Sequence, residues 1–300
     1  MSPVAQRAAR TQIVVGVDGS DESQRALDWA ANEAVLRGCR LRVVQVIQPW
    51  PITPSVLAPV PLIETDELAE AVRHFIGSMV KRARATAPSV KVDGLVLTGS
   101  PSGELLHAAT GAVMLVVGSK GHGAVGGVLL GSVSTSVAVH ATVPVVVTRL
   151  GPTRPTGRII VGVDGSPASA AAVDFSIREA SQRGASVTAI HVSTGPFPLL
   201  ATTSEPEVIH RGDVDPEEAA AVAETLAGYE EECSDVSVER IFMVGHPVPA
   251  LIKASHGADL LVVGSRGHGA FTGRLLGSRE SRSARSRLRS GGGGPQRGKA

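Results

Sequence analysis

Aromatic residues make up only 3% of this 300-residue chain. That scarcity argues against a surface that stacks successive bases of single-stranded nucleic acid. Cysteine is nearly absent too. Cys39 and Cys233 are the only two, far apart and without metal-ligand spacing, which points to free thiols in a reducing compartment. No apolar run approaches the roughly 20 residues that a membrane span needs. Residues 1–10 lack the apolar core of a signal peptide. A soluble, cytoplasmic protein is expected. The body of the chain also lacks an excess of positive charge. The net charge is +1, but residues 279–300 hold seven basic groups (Arg279, Arg282, Arg285, Arg287, Arg289, Arg297, Lys299) and one acid, Glu280. That tail of +6 leaves −5 for residues 1–278, so no basic face for nucleic acid is visible.

What is present is apolar. Hydrophobic residues form 43% of the chain and charged residues 19%, which excludes disorder throughout. The length suffices for two domains with a core each. The chain also repeats itself. Gly16-Val17-Asp18-Gly19-Ser20 recurs as Gly162-Val163-Asp164-Gly165-Ser166. Gly118-Ser119-Lys120-Gly121-His122-Gly123 recurs as Gly264-Ser265-Arg266-Gly267-His268-Gly269, and Leu129-Leu130-Gly131-Ser132 as Leu275-Leu276-Gly277-Ser278. Every pair is offset by 146 residues, a normal domain length and too long for a solenoid repeat. Two domains are expected, 1–151 and 158–278, joined by a Gly/Pro-rich linker.

Within each copy, strands alternate with helices. In the first, strands are expected at 13–17, 41–47, 92–98, 113–118 and 143–148, of which 13–17 and 113–118 are continuous apolar runs and so covered on both faces. Ser20 and Asp21 can cap a helix that Gly38 stops. Further helices are expected at about 64–85, 101–110 and 132–140. Strands joined by helices imply parallel pairing and a three-layer α/β sandwich. The second copy follows suit to Ser278 and then breaks. Arg279-Glu280-Ser281-Arg282 stands where the first copy has Val133-Ser134 and an apolar last strand. The second domain is therefore expected to be C-terminally incomplete, with 279–300 a basic, disordered tail. A frameshift would explain the break: CGT-GAG-TCG encodes Arg-Glu-Ser, and read one base later gives Val-Ser. A tail for anionic partners is the alternative, and resequencing the gene separates the two.

The chemistry-bearing signal is Gly118-x2-Gly121-x9-Gly131-Ser132, directly after an apolar strand. Closely spaced glycines let backbone N–H groups approach a phosphate. A helix opening at Gly131-Ser132 favours the same anion. Lys120, with Arg266 as its counterpart, can add a positive charge, and the Ser132 hydroxyl a hydrogen bond. A mere tight turn is the bland alternative, and the second copy at the same spacing weakens it. The motif is not a Walker A loop, because Gly-Lys-Ser/Thr is absent. Asp18 stands at a strand end, where open parallel sheets bind ligands. It can accept from a base amino group or a ribose, or it can cap the following helix. His122 and His268 have no second ligand at useful spacing for a metal. Cys39, at a helix C-terminus, is expected to be structural, and Trp29, replaced by Phe175 in the second copy, a packing residue.

These residues resemble the universal stress protein family in its tandem, ATP-binding form. The resemblance rests on Val-Gly-Val-Asp-Gly-Ser and G-x2-G-x9-G-S in both copies and covers nearly all of 10–278. It implies HUP/Rossmann-like sheets of order 3-2-1-4-5, the second lacking its last helix and strand, and domains paired partly through strand five. It implies adenine and ribose near Gly16, Asp18, Ser20 and Val46. The phosphates would lie over Gly118, Ser119, Lys120, Gly121, His122 and Gly123, with Gly131, Ser132 and Val133 closing the site. The second site would use Gly162, Asp164, Ser166, Val192, Gly264, Ser265, Arg266, Gly267, His268, Gly269, Gly277 and Ser278, with Arg279 in the place of Val133. The expected function is ATP binding, with or without Mg2+, in a cytoplasmic stress-response regulator that signals by conformation or partner binding. A homodimer or intramolecular domain pairing is expected, and an unidentified protein partner. No catalytic base or metal ligand is visible. A slow ATPase, a nucleotide-free dimeric scaffold and a damaged gene product are the rival readings.

Overall fold

Ile13, Val14 and Val15 are completely buried, as a strand covered on both faces requires. They form the centre of β1 (Gln12–Gly16). The computed structural model describes residues 11–48, 65–121, 130–149, 154–194, 206–209, 214–232 and 235–265. After β1 the first repeat continues through α1 (Asp21–Arg37), β2 (Arg40–Ile47), α2 (Thr65–Thr86), β3 (Val92–Thr98), α3 (Pro101–Ala108), β4 (Met114–Gly118), α4 (Ser132–His140) and β5 (Val145–Thr148). The sheet order is β3-β2-β1-β4-β5, parallel throughout. Alternate residues of β1 face opposite layers. Ile13 and Val15 pack with Leu27, Leu41 and Ala83 beneath α1 and α2. Val14 packs with Leu105 and Val137 beneath α3 and α4. The expected three-layer sandwich is present.

The second repeat runs β6 (Arg158–Gly162), α5 (Pro167–Arg183), β7 (Ser186–Ser193), β8 (Glu207–Ile209), α6 (Pro216–Glu232), β9 (Val238–Val244), α7 (Pro247–Ala254) and β10 (Leu260–Val262). Its order is β10-β6-β7-β9-β8. Four of these strands repeat β4-β1-β2-β3. The fifth, β8, pairs antiparallel with β9 and makes the sheet mixed. It comes from the loop after β7 that has no likeness to its partner in the first repeat. Glu207 and Val208 are exposed, so no buried-strand pattern marks it. On the other edge the end of β10 is less covered than that of β4: Val117 is 4% exposed, and its counterpart Val263, the residue after β10, is 38% exposed. The expected truncation of the second domain and its tail lie outside the described residues.

The two repeats start their first helix in the same way. The Ser20 hydroxyl accepts from Ser23 N–H at 3.2 Å, and Gly38, at φ 60°, ends α1. Ser166, Ser169 and Gly184 do the same for α5. Ser20, and not Asp18, is thus the cap. Ser20→Ala and Ser166→Ala are each expected to lower stability by about 1 kcal/mol, measured by urea denaturation.

Among the described residues, the ion pairs between the repeats run from α1 to α5. Glu33 pairs with Arg183, and Glu179 with Arg37. The Arg183 guanidinium lies over the Trp29 ring, 5.7 Å from its centroid. Phe175 packs against the first repeat's core. The resemblance implied pairing through strand five; among the described residues β5 is bonded only to β4, along one edge.

Cys39 follows the end of α1 and packs against the first core. Burial pushes its thiol up, and Glu33 adds to the effect while Arg37 opposes it. Less thiolate exists at neutral pH, and the thiolate is the nucleophile. Iodoacetamide at pH 7.5 is therefore expected to modify Cys39 about fivefold or more slowly than glutathione, read by mass spectrometry of its peptide.

Candidate functional site

The sheet order reverses between β1 and β4. β1 leads by α1 to β2 on one side, and the chain then crosses back to β4 on the other. Loops after these two strands diverge and leave a crevice at their carboxyl ends. Asp18 follows β1, and Lys120 and Gly121 follow β4. The structure brings them together. Asp18 Oδ1 accepts from the Ser20 amide at 3.0 Å and from the Ser20 hydroxyl at 2.6 Å. The same hydroxyl reaches the Lys120 carbonyl at 3.5 Å, across the crevice. A Cβ on Gly121 would overlap Asp18 Oδ2. The loop can pass the carboxylate there only because Gly121 has no side chain.

Gly118 has a different purpose. A Cβ there would stand 2.8 Å from the Glu22 carbonyl carbon and 2.9 Å from its oxygen, so its absence lets α1 lie close on β4. Gly16 likewise makes room for Leu105 at 3.0 Å. These two glycines shape the packing around the crevice.

The far wall is the start of α4. Gly131 is its N-cap and offers no side-chain acceptor to the first-turn amides. A helix N-terminus capped in this way keeps its partial positive charge for an external anion. The Gly131 amide donates to the Ser119 carbonyl at 2.7 Å, which holds the start of α4 beside the end of β4. The Ser134 hydroxyl donates to the Gly118 carbonyl at 2.6 Å and ties the first turn of α4 to the end of β4. Ser134 is not among the residues expected from sequence; its spacing of sixteen residues from Gly118 makes sense only once α4 is seen to start beside the end of β4. The corresponding position of the second repeat is Glu280, which cannot replace that donor while ionised. Ser132 is exposed, and Val133 is half-buried on the α3/α4 face, where Val46 of β2 also packs. Ser119 is buried and Lys120 half-buried. His122 and Gly123 lie outside the described residues.

The second repeat reproduces the first half of this arrangement. Asp164 Oδ1 accepts from the Ser166 amide at 3.0 Å. Gly264 lies against the Ala168 carbonyl group as Gly118 does against Glu22. Gly162 makes room for Leu251 at 3.0 Å, and Val192 packs beneath α7. Ser265 is exposed. Arg266, Gly267, His268, Gly269, Gly277, Ser278 and Arg279 lie outside the described residues. One residue not expected from sequence sits beside this crevice. His191, buried on β7, places Nδ1 2.9 Å from the Val163 carbonyl and Nε2 3.3 Å from Glu218 Oε2. The first repeat has Gln45 at that position, and this difference is the available signal. Among the described residues no group of three or more His, Cys, Asp or Glu side chains could hold a metal, and no helix is long and apolar enough to cross a membrane.

A duplicated, doubly wound α/β fold with a glycine-lined crevice at the switch point of its first sheet defines the class of protein. Comparison with known proteins narrows it. The model of the universal stress protein family matches residues 9–149 and again 155–286. A universal stress protein of Mycolicibacterium smegmatis is 37% identical over 296 residues, covering 94% of this chain and 96% of that one. One from Mycobacterium tuberculosis is 34% identical over 282 residues, covering 89% of each. The crystal structure of a universal stress protein from Archaeoglobus fulgidus has a TM-score of 0.63 at 21% identity, covering 89% of each chain, and shows the same fold. The chain belongs to the universal stress protein family and carries its domain twice.

Proposed function

We propose that the crevice of each domain binds an adenine nucleotide, ATP in the first instance, and that the protein is a cytoplasmic regulator of the stress response. The observation that carries this reading is the junction of Asp18, Ser20, Lys120 and Gly121 across the switch point. A carboxylate held at a strand end suits a ribose or a base amino group. The Gly118–Gly121 turn and the open N-terminus of α4 suit the phosphates. Asp18 and the α4 dipole thus separate the neutral and the anionic parts of the ligand. Lys120 adds a cation on the phosphate side, and Mg2+ would neutralise the phosphates further. The second domain uses Asp164, Ser166 and Gly264 in the same roles.

Binding and conformational signalling, rather than fast turnover, is the activity proposed. Phosphoryl transfer needs a positioned base or water and a held metal, and the described residues at the crevice present Asp18 already engaged by Ser20. The test is to denature freshly purified protein and to identify and quantify released nucleotide by mass spectrometry. About two moles of ATP per chain supports both sites, and about one supports the first alone. ADP in place of ATP, with metal-dependent phosphate release abolished by Gly118→Ala, would favour a slow ATPase. No nucleotide, and none regained with ATP and magnesium, overturns the reading in favour of a scaffold.

A further inference from the structure

Four charged side chains join the two domains, and the 146-residue offset maps each onto its counterpart: Glu33 onto Glu179, and Arg37 onto Arg183. Within each helix the acid and base are four residues apart and paired, Glu33 with Arg37 and Glu179 with Arg183. Across the interface Glu33 meets Arg183, and Glu179 meets Arg37. Both glutamates are only 1% exposed. A carboxylate so buried is tolerated only with charged partners, and here each has one arginine from its own helix and one from the other domain. The contact is reciprocal: position 33 of one repeat faces the arginine of the other, and the reverse also holds. That is the pattern of an isologous interface, in which one patch complements itself. Trp29 and Phe175, also equivalent positions, flank it.

We propose that the C-terminal half of the first helix of each domain is a homotypic docking surface, whose partner is another copy of the same face. Within one chain it joins α1 to α5. When that pairing is blocked, the faces engage their counterparts on a second chain. The charges set the choice of partner, since like charges placed in this buried site repel. This pairing is independent of nucleotide binding.

The test exploits the symmetry. In the full chain, E33R/R37E places a guanidinium opposite Arg183 and a carboxylate opposite Glu179, so α1 and α5 repel. The reversed α1 face still complements another reversed α1 face, and the native α5 face another α5. Light scattering at matched concentration is expected to show at least twice the wild-type mass for E33R/R37E. The mass of E33R/R37E/E179R/R183E is expected to return to the wild-type value, because complementarity within the chain is restored. A folded E33R/R37E chain of unchanged mass overturns the proposal. So does a quadruple variant that is unfolded by circular dichroism or does not regain the wild-type mass. If E33R/R37E itself fails to fold, recovery of fold and mass in the quadruple variant supports the proposal equally.

Discussion

Gly121→Ala is expected to weaken nucleotide binding at the first site at least about tenfold, some 1.4 kcal/mol, while the fold survives. The reason is local. The added methyl group would occupy the space of Asp18 Oδ2. One of the two must move, and the carboxylate is the softer. Moving it breaks the two hydrogen bonds from Ser20 and removes the group proposed to hold the ribose or base. Gly118→Ala is the informative contrast. Its methyl group would meet the Glu22 backbone at 2.8–2.9 Å, and a helix backbone yields less readily than a side-chain tip. Overpacking of that kind costs about 1–3 kcal/mol. Gly118→Ala should therefore lower the melting temperature as well as binding, whereas Gly121→Ala should lower binding alone. Equilibrium titration with ATP, alongside thermal unfolding, separates them. Unchanged affinity in Gly121→Ala would remove Asp18 from the site.

Glu33→Ala is expected to destabilise the protein by about 3 kcal/mol. For a chain of this size the melting temperature should fall on the order of 10 °C. Removing the carboxylate leaves Arg37 and Arg183 sharing Glu179 alone. Their side chains are only 15% and 24% exposed, so water cannot fully replace the lost partner. An ion pair at the surface should behave differently. Arg178 and Asp174 are 71% and 39% exposed and 3.0 Å apart. Arg178→Ala should cost no more than about 0.5 kcal/mol. Equal, small effects of both substitutions would mean that the buried quartet contributes nothing net to stability. That result is physically allowed, because desolvation can offset Coulomb attraction. It would leave specificity of pairing as its sole purpose.

Much of the architecture is legible in the sequence. The 146-residue repeat, the apolar runs of β1 and β4 and the glycine spacing after β4 follow from local chemistry: burial on both faces demands continuous apolar residues, and close backbone approach demands glycine. The parallel pairing is legible as well, since helices between strands leave few other ways to build a sheet, whereas the strand order comes from the family resemblance. The helix cap is only half legible. Asp18 and Ser20 are both cap formers by type, and the choice between them depends on where the chain leaves β1. Ser20 caps α1 and bonds Asp18, which frees neither residue to be read alone.

The remainder needs the tertiary structure. β8 has three residues and no alternating pattern, and it exists because β9 offers it an edge. Ser134 becomes part of the site only because the first turn of α4 packs against the end of β4. The pairing of the domains is the furthest from sequence. Glu33 and Arg37 look like an ordinary helix-surface pair at i and i+4, and so do Glu179 and Arg183. Nothing along the chain distinguishes them from Asp174 and Arg178, which are solvated. Their burial depends on which faces of two distant helices meet, and that is decided by the packing of whole domains. The residues alone determined what each domain is. The tertiary structure decided what each domain touches, because contact between surfaces is a property of shape and charge in space and leaves no period in the sequence.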